Sequence, residues 1–144
     1  MNRVEIEFEE VISSMEQINT LFYLLNERVH TISCKATDYI EHEKFVNAHP
    51  YRCWFLIKFK GSYVGSFYLS NENTIGINVS EECSYEAVLS IIEFVRNTYQ
   101  PLPPIPSVRG EGFAINVPPT NTVLTETLEK IGAKVAQITY SMPN

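Results

Sequence analysis

Side chains that could bind a metal or attack a substrate are scattered along this 144-residue chain. His42 is followed by Glu43, as in zinc-dependent proteases, but the second histidine expected four positions after the first is missing. We therefore expect no metal site and place His42 on a helix surface. Cys83 precedes a predicted helix, yet the glutamates around it oppose a thiolate, so it is not a candidate nucleophile.

Charge, cysteine content and length exclude several classes of protein. The net charge is −6 and the 11 lysines and arginines are scattered, which argues against nucleic acid as a partner. Three cysteines without a C-x-x-C pair indicate reduced thiols and a cytoplasmic location. No apolar run reaches the ~18 residues that cross a bilayer, so we expect neither a membrane partner nor a signal peptide. The length predicts a single domain spanning residues 1–144.

The hydrophobic pattern predicts an α/β fold with a mixed, mostly antiparallel central sheet flanked by helices, in the order βααβββαβαβ. Ser13 and Glu16 are spaced as a capping box at the start of the first helix. Thr120 or Asn121 is placed to cap the last helix, and Gly132 is placed to end it. The glutamates of the first strand, including Glu9, are expected in solvent. Predicted strands are residues 3–8, 53–59, 63–69, 74–79, 113–117 and 134–142; predicted helices are 14–29, 38–47, 84–99 and 121–131.

The last predicted helix carries the most specific motif. Asn121 precedes a helical spacer that ends in Leu128-Glu129-Lys130-Ile131-Gly132, and the preceding strand reads Phe113-Ala-Ile-Asn116-Val-Pro118. With the order of the elements, these residues resemble the GNAT superfamily of N-acetyltransferases over nearly the whole chain. The segments Pro50-Tyr51-Arg52-x-Trp54 and Ile75-Gly76-Ile77 are similar to bacterial members that act on sugar-like or small amine substrates.

The resemblance implies transfer of an acetyl group from acetyl-CoA to a small amine or amino-sugar acceptor, by direct attack. It implies a fourth and a fifth strand that splay apart to admit the pantetheine arm, and a homodimer. Asn121 would orient the thioester end and Tyr140 would donate a proton to the leaving thiolate. The cofactor-binding residues that it implies are Ile77, Asn78, Val79, Tyr85, Glu86, Ala87 and Asn116.

Two departures from the family pattern leave a second hypothesis open. The pyrophosphate loop of the family is Gln/Arg-x-x-Gly-x-Gly/Ala, and in the matching segment from Glu82 to Ala87 only the alanine fits. Carboxylates at Glu81, Glu82 and Glu86 would repel the phosphates by several kcal/mol at an effective dielectric constant of ~20. Leu128 stands where many members have a catalytic tyrosine. The alternative is a catalytically degenerate GNAT-fold binding protein that does not use CoA.

A second segment matches the phosphate-loop spacing. Arg109-Gly-Glu-Gly112-Phe-Ala114 has an arginine, a glycine and an alanine at the required positions. The motif works between a strand and a helix, because the free amides of the helix start bind the anion. Here it follows a proline-rich stretch and precedes a predicted strand, so we interpret it as a connecting loop.

Overall fold

The computed structural model describes residues 5–27 and 38–143. Five strands form one sheet in the order β1-β2-β3-β4-β5, antiparallel except for the parallel pair β4–β5. The predicted mixed α/β class and its mostly antiparallel sheet are confirmed. The elements are β1 (Ile6–Glu10), α1 (Met15–Glu27), α2 (Tyr39–Asn47), β2 (Cys53–Phe59), β3 (Ser62–Leu69), β4 (Thr74–Val79), a 3-10 turn (Glu81–Cys83), α3 (Ser84–Thr98), β5 (Ala114–Ile115) and α4 (Thr122–Lys130).

The central strand β2 separates two apolar cores. Its side chains alternate between the two faces of the sheet, as strand geometry requires. Phe55 and Ile57 pack on the face covered by α3, whereas Trp54 and Leu56 pack on the face covered by α1 and α2. Each fully buried side chain of this size contributes about 1.5–3 kcal/mol to the free energy of folding. Burial on both faces explains the continuous apolar run in the sequence of β2.

The predicted sixth strand, residues 134–142, is not formed. This segment has no regular secondary structure and is exposed throughout. An alternating pattern makes a strand only when a neighbouring strand takes its backbone hydrogen bonds, and no strand among the described residues pairs with this segment. The predicted fifth strand, residues 113–117, shortens to Ala114–Ile115 for a related reason: its neighbour β4 pairs with those two residues.

Helix ends confirm one prediction and correct another. Gly132 ends α4 with φ +90°, and the amides of Gly132 and Ala133 donate to the carbonyls of Glu129 and Leu128. The capping box at Ser13 is wrong, because the Ser13 hydroxyl donates to the carbonyl of Val46 instead.

The helix α1 is capped one residue later. The amide of Gln17 donates to the hydroxyl oxygen of Ser14 at 3.2 Å, as an N-cap requires. The first strand also begins later than predicted, at Ile6, whose side chain packs with Phe8 on the α3 face. Predicted positions in residues 1–4 and 28–37 lie outside the described residues.

Asn73 joins the sheet to the long connection between α3 and β5. Its side chain is 1% exposed, donates to the carbonyls of Leu102 and Gly110, and accepts from the amide of Leu102 at 2.8 Å. The carbonyl of Asn73 also accepts from the amide of Ala114, the first residue of β5. Asn73 therefore holds the connection through its side chain and begins the pairing of β5 with β4 through its main-chain carbonyl.

No helix in the described ranges is both long and apolar enough to cross a membrane.

We predict that Asn73→Asp destabilises the protein by at least about 2 kcal/mol, because a buried carboxylate would face two carbonyl oxygens that lose their donor. Urea unfolding measures the change. The matched control is Asn71→Asp, an exposed residue whose side chain donates to the carbonyl of Pro50. We expect less than about 1 kcal/mol for the control, and equal losses in the two variants would contradict the assigned role of Asn73.

Candidate functional site

The strands β4 and β5 part immediately after they meet. Thr74 pairs with Ala114 and Ile75 pairs with Ile115, and no further pair follows in the described part of the chain. The strand β4 continues to Val79, so residues 76–79 have β3 on one side and no strand on the other. Such an unpaired edge presents amide and carbonyl groups to any molecule that enters the gap.

A cavity of about 430 Å³ lies along this unpaired edge. The end of β4 forms one wall, the last turns of α1 form another, and the starts of α3 and α4 close it. The lining residues are Tyr23, Leu24, Glu27, Tyr63, Val64, Ile77, Asn78, Val79, Ser80, Glu81, Ser84, Pro118, Asn121 and Leu124. Five elements distant in sequence therefore contribute to one cavity.

A second, more open cavity of about 470 Å³ adjoins the first and shares Tyr23, Leu24 and Tyr63 with it. Its remaining lining residues are Asn19, Thr20, Gly61 and Ser62. The polar side chains of this second cavity are uncharged hydroxyl and amide groups. The two cavities together form a groove that is neutral at one end and carries the carboxylates of Glu27 and Glu81 at the other.

The structure brings together four of the site residues predicted from the sequence. Ile77, Asn78 and Val79 line the first cavity from β4, and Asn121 lines it from the start of α4. The Oδ1 atom of Asn121 accepts a hydrogen bond from the amide of Leu124 at 3.1 Å, so this side chain also caps α4.

The other five predicted site residues do not line either cavity. Tyr85, Glu86 and Ala87 lie in the first turn of α3, where Ala87 is fully buried, while Asn116 is exposed beyond β5. Because α3 begins at Ser84, the residues that face the cavity are Ser80, Glu81 and Ser84 instead. Tyr140 is 80% exposed in the segment after α4. The roles given to these five residues stay predictions.

The start of α3 carries charges of both signs. Glu81 and Glu82 are exposed in the 3-10 turn, and Glu86 follows in the first turn of the helix. The ammonium group of Lys130, at the end of α4, lies 5.6 Å from the centroid of the Tyr85 ring. A cation therefore stands beside the same helix start as the carboxylates.

Sequence reasoning missed the contributions of α1 and β3. Tyr23 and Glu27 are four residues apart on one face of α1, while the buried Ile18 and Leu21 face the core. This polar face of an amphipathic helix is the signal that was available, but exposure to solvent explains it equally well. Nothing local to Tyr63 distinguishes it from other strand tyrosines.

Glu9 is part of a polar network beside the groove and not a freely solvated side chain, which corrects the expectation for the first strand. Its carboxylate accepts from Gln17 at 3.0 Å and from the Tyr63 hydroxyl at 2.9 Å, and it lies 3.3 Å from the ammonium of Lys58. The hydrogen bond from Gln17 is the largest of the effects that lower the pKa of Glu9. Burial raises the pKa of Tyr63, so its hydroxyl stays protonated and donates to Glu9.

The surroundings of Cys83 and His42 do not favour a nucleophilic cysteine or a metal-binding histidine. Burial raises the pKa of Cys83, and the charge of Glu86 adds to this effect, so the thiol stays protonated. His42 is 4% exposed and its Nε2 atom is hydrogen bonded with the carbonyl of Ile18, so the predicted surface position is wrong. Within residues 5–27 and 38–143, no group of three potential ligands is placed to hold a metal ion.

Arg109 has a structural role. Its guanidinium donates to the carbonyls of Pro103 at 2.7 Å and Asn71 at 3.0 Å. The segment that follows it leads into β5 and not into a helix. The interpretation of this motif as a connecting loop therefore agrees with its contacts.

Comparison with known proteins identifies the fold. No protein-family model matches the sequence, and no curated protein matches it. Solved structures do match over nearly the full length. A ribosomal-protein-alanine N-acetyltransferase from Brucella melitensis biovar Abortus 2308 has 11% identity and a TM-score of 0.62, with 99% of this chain and 100% of that chain covered.

Two further solved structures similar to this chain are also acetyltransferases. A possible acetyltransferase from Clostridium difficile 630 has 15% identity and a TM-score of 0.58, over 99% of this chain and 98% of that one. The aminoglycoside N-acetyltransferase AAC(6')-Iy, in complex with CoA, has 7% identity and a TM-score of 0.60, over 99% and 97%. At such identities the likeness concerns the fold: this chain has the fold of the GNAT N-acetyltransferases.

We predict a pH dependence from Glu9. Because its pKa is lowered in the folded state, Glu9 stabilises the protein above the ordinary carboxyl pKa of 4.5 and loses this effect as the pH falls through the folded value. The difference in free energy of unfolding between wild type and Glu9→Gln should therefore shrink from about pH 7 to about pH 4. Urea unfolding at each pH measures it. The matched control is Glu7→Gln, which removes one carboxylate from an exposed position on the same strand.

We also predict that Asn121→Ala lowers the free energy of unfolding by about 1 kcal/mol through loss of the cap on α4, whereas Asn121→Ser leaves it nearly unchanged. Thermal or urea unfolding checks both. The exposed Asn116→Ala is the matched control and should be neutral. An unchanged Asn121→Ala variant would show that the cap contributes no stability.

Proposed function

We propose that this protein transfers an acetyl group from acetyl-CoA to a primary amine. The observation that carries the proposal is the gap between β4 and β5, whose unpaired β4 edge runs along a cavity lined by Ile77, Asn78 and Val79. The fold shared with N-acetyltransferases, one of them in complex with CoA, supports it. A closed or side-chain-filled gap would have favoured a different use of the fold.

The pantetheine arm fits the β4 edge chemically. It contains two amide groups in an extended chain, and an unpaired strand edge binds extended amides by main-chain hydrogen bonds, as in β-augmentation. Residues 76–79 supply the main-chain groups, and the apolar side chains of Val64 and Leu124 border the same cavity. The thioester would lie where the cavity meets the groove along α1.

At the start of α3, where the phosphates of CoA would lie, some groups attract phosphate and others repel it. Ser84 lines the cavity and is 4% exposed to solvent. The free amides in the first turn of a helix attract anions. Lys130 adds a positive charge nearby. The carboxylates of Glu81 and Glu82 oppose these effects, so we expect weaker binding of CoA than a neutral loop would allow.

The acceptor is an amine that approaches from the second cavity. Its ammonium is attracted to the carboxylates of Glu27 and Glu81, and hydroxyl groups on the acceptor can bond with Asn19, Thr20 and Ser62. A small amino sugar has both kinds of group, and aminoglycosides are the substrates named for AAC(6')-Iy. We therefore propose amino sugars as the first class to test.

The reaction needs two proton movements. The ammonium first loses a proton, for which a cavity carboxylate is the available acceptor. The amine nitrogen then bonds to the thioester carbonyl carbon, the carbon–sulfur bond breaks, and the nitrogen gives up a proton as it becomes an amide while the CoA thiolate takes one up. Tyr140 remains the donor predicted from the sequence, while Tyr23 and Tyr63 are the tyrosines that line the cavity.

The second candidate function is a binding protein that keeps the fold and does not use CoA. The observation that favours it is the set of three carboxylates, Glu81, Glu82 and Glu86, at the start of α3. Leu128 occupies the position of the tyrosine that many acetyltransferases use. Binding of acetyl-CoA distinguishes the two candidate functions.

We predict that acetyl-CoA binds the wild-type protein in isothermal titration calorimetry, and that Glu82→Gln tightens binding about three- to tenfold because it removes a charge that repels the phosphates. Glu43→Gln on α2 changes the net charge equally but lies outside the cavity lining, and it should bind as wild type does. Release of CoA thiol with a panel of amino sugars then tests turnover.

Absence of binding by all three proteins at about a millimolar acetyl-CoA would reject the acetyltransferase proposal and favour the binding protein. Equal tightening by Glu82→Gln and Glu43→Gln would instead show a general charge effect, and would contradict the placement of phosphates at the start of α3.

A further inference from the structure

A β-bulge in β3 turns the side chain of Tyr63 toward α1. The pairing of β2 with β3 shifts between Ile57 and Lys58, so that Lys58 is opposite Tyr63 and Val64 is passed over. Strict alternation from Phe67, which packs on the α3 face, would put Tyr63 on that face too. After the shift, Tyr63 packs on the face covered by α1 and α2, and Val64 packs on the α3 face. The bulge therefore re-aims the tyrosine.

The residue beside this bulge has no room for a side chain. A Cβ atom on Gly65 would clash with the carbonyl oxygen of Asn78 on β4. Gly65 is paired in register with Val79, so β3 approaches β4 closely at this point. Both Asn78 and Val79 line the first cavity. The bulge thus lies directly behind the β4 wall of that cavity.

Two charged side chains hold Tyr63 in place. The Tyr63 hydroxyl donates to the carboxylate of Glu9, whose two oxygens lie at 2.9 and 3.1 Å. The ammonium of Lys58 lies 3.3 Å from that carboxylate and 4.8 Å from the centroid of the Tyr63 ring. The buried amide of Gln17, on α1, donates to the same carboxylate and to the carbonyl of Glu10. One carboxylate therefore connects Tyr63 to α1 across β1.

These contacts leave one part of the Tyr63 ring for a ligand. Tyr63 lines both cavities, whereas Lys58 is outside the lining of either one. The ring face beneath Lys58 is therefore turned away from the groove, and the hydroxyl hydrogen is already bonded to Glu9. A ligand at the junction of the cavities meets the remaining apolar ring surface, which suits the C–H face of a sugar ring. The carboxylates of Glu27 and Glu81 lie in the first cavity, where they attract an ammonium group.

We infer that Tyr63 selects acceptors that carry a sugar ring, by packing against that ring where the two cavities meet, and that Glu9 and Lys58 position Tyr63 for this contact. The role of Tyr63 rests on the amine acceptor proposed above and specifies which part of the acceptor the groove recognises. Tyr63 contacts the acceptor directly, whereas Glu9 acts through Tyr63 and is a positioning residue. A linear diamine has the positive charge without the ring face, so its binding does not depend on Tyr63.

Isothermal titration calorimetry of the full chain tests the role of Tyr63 with two probes, a two-ring amino sugar and linear diaminobutane. We expect Tyr63→Leu to weaken binding of the amino sugar about three- to tenfold. Binding of the diamine stays unchanged, because the carboxylates of the first cavity remain. The matched control Phe59→Leu removes a ring from the same hairpin, outside both cavity linings, and binds both probes as wild type does.

The positioning by Glu9 is tested with Glu9→Gln and with Tyr63→Phe, which keeps the ring and removes its hydrogen bond to Glu9. We expect each variant to weaken amino-sugar binding about two- to fivefold, with unchanged binding of the diamine and of acetyl-CoA. A loss confined to the sugar distinguishes positioning from a general weakening of the fold. The matched controls are Glu7→Gln, at an exposed position, and Tyr68→Phe, outside both cavity linings.

Three results would overturn the role of Tyr63. They are an unchanged affinity of Tyr63→Leu for the amino sugar, an equal loss for both probes, and a wild type that does not bind the amino sugar at about 10 mM. Unchanged binding by both Glu9→Gln and Tyr63→Phe would overturn the positioning role of Glu9. Tyr63→Phe keeps the test decisive if the leucine variant does not fold. Absence of acetyl-CoA binding rejects the acetyltransferase proposal separately, since the sugar titrations do not require CoA.

Discussion

The hydrogen bonds of Asn73 are the interaction on which the candidate site depends. This side chain holds the connection from α3 at Leu102 and Gly110, and the main-chain carbonyl of Asn73 begins the pairing of β5. After β5, Pro118 and Pro119 have no amide hydrogen and cannot extend the ladder along β4. Pairing is therefore confined to two residue pairs, and the rest of β4 is left with an open edge. If β5 paired with the whole length of β4, a continuous sheet would occupy the space of the cavity.

The two apolar cores hold the elements around the gap between β4 and β5 in fixed positions. The side chains of β2 are packed on both faces, and α3 and α1 are each fixed to the sheet by apolar contacts. The walls of the cavity are thus built from elements that are rigid for reasons unrelated to the cavity. A densely packed sheet with one unpaired edge is a suitable frame for an extended ligand.

The carboxylates at the charged end of the groove act in opposite directions on the two ligands of the proposed reaction. Carboxylates at Glu27 and Glu81 suit a cationic acceptor, whereas the same charges and Glu82 weaken the attraction for phosphates that Ser84 and Lys130 provide. Because the glutamates of the 3-10 turn are exposed, water and salt reduce their repulsion. The balance between these opposing effects separates an acetyltransferase from a binding protein of the same fold.

The amino-acid sequence by itself determined the features that depend on near neighbours. A continuous apolar run identified β2, helical spacing identified α3, and Gly132 marked the end of α4. Tertiary structure alone decided which strand edges remain unpaired, why residues 134–142 form no strand, and which side chains of α1 and β3 meet β4 at the cavity. The physical reason is that strand pairing and cavities need partners distant in sequence, whereas periodicity and capping act within a few residues.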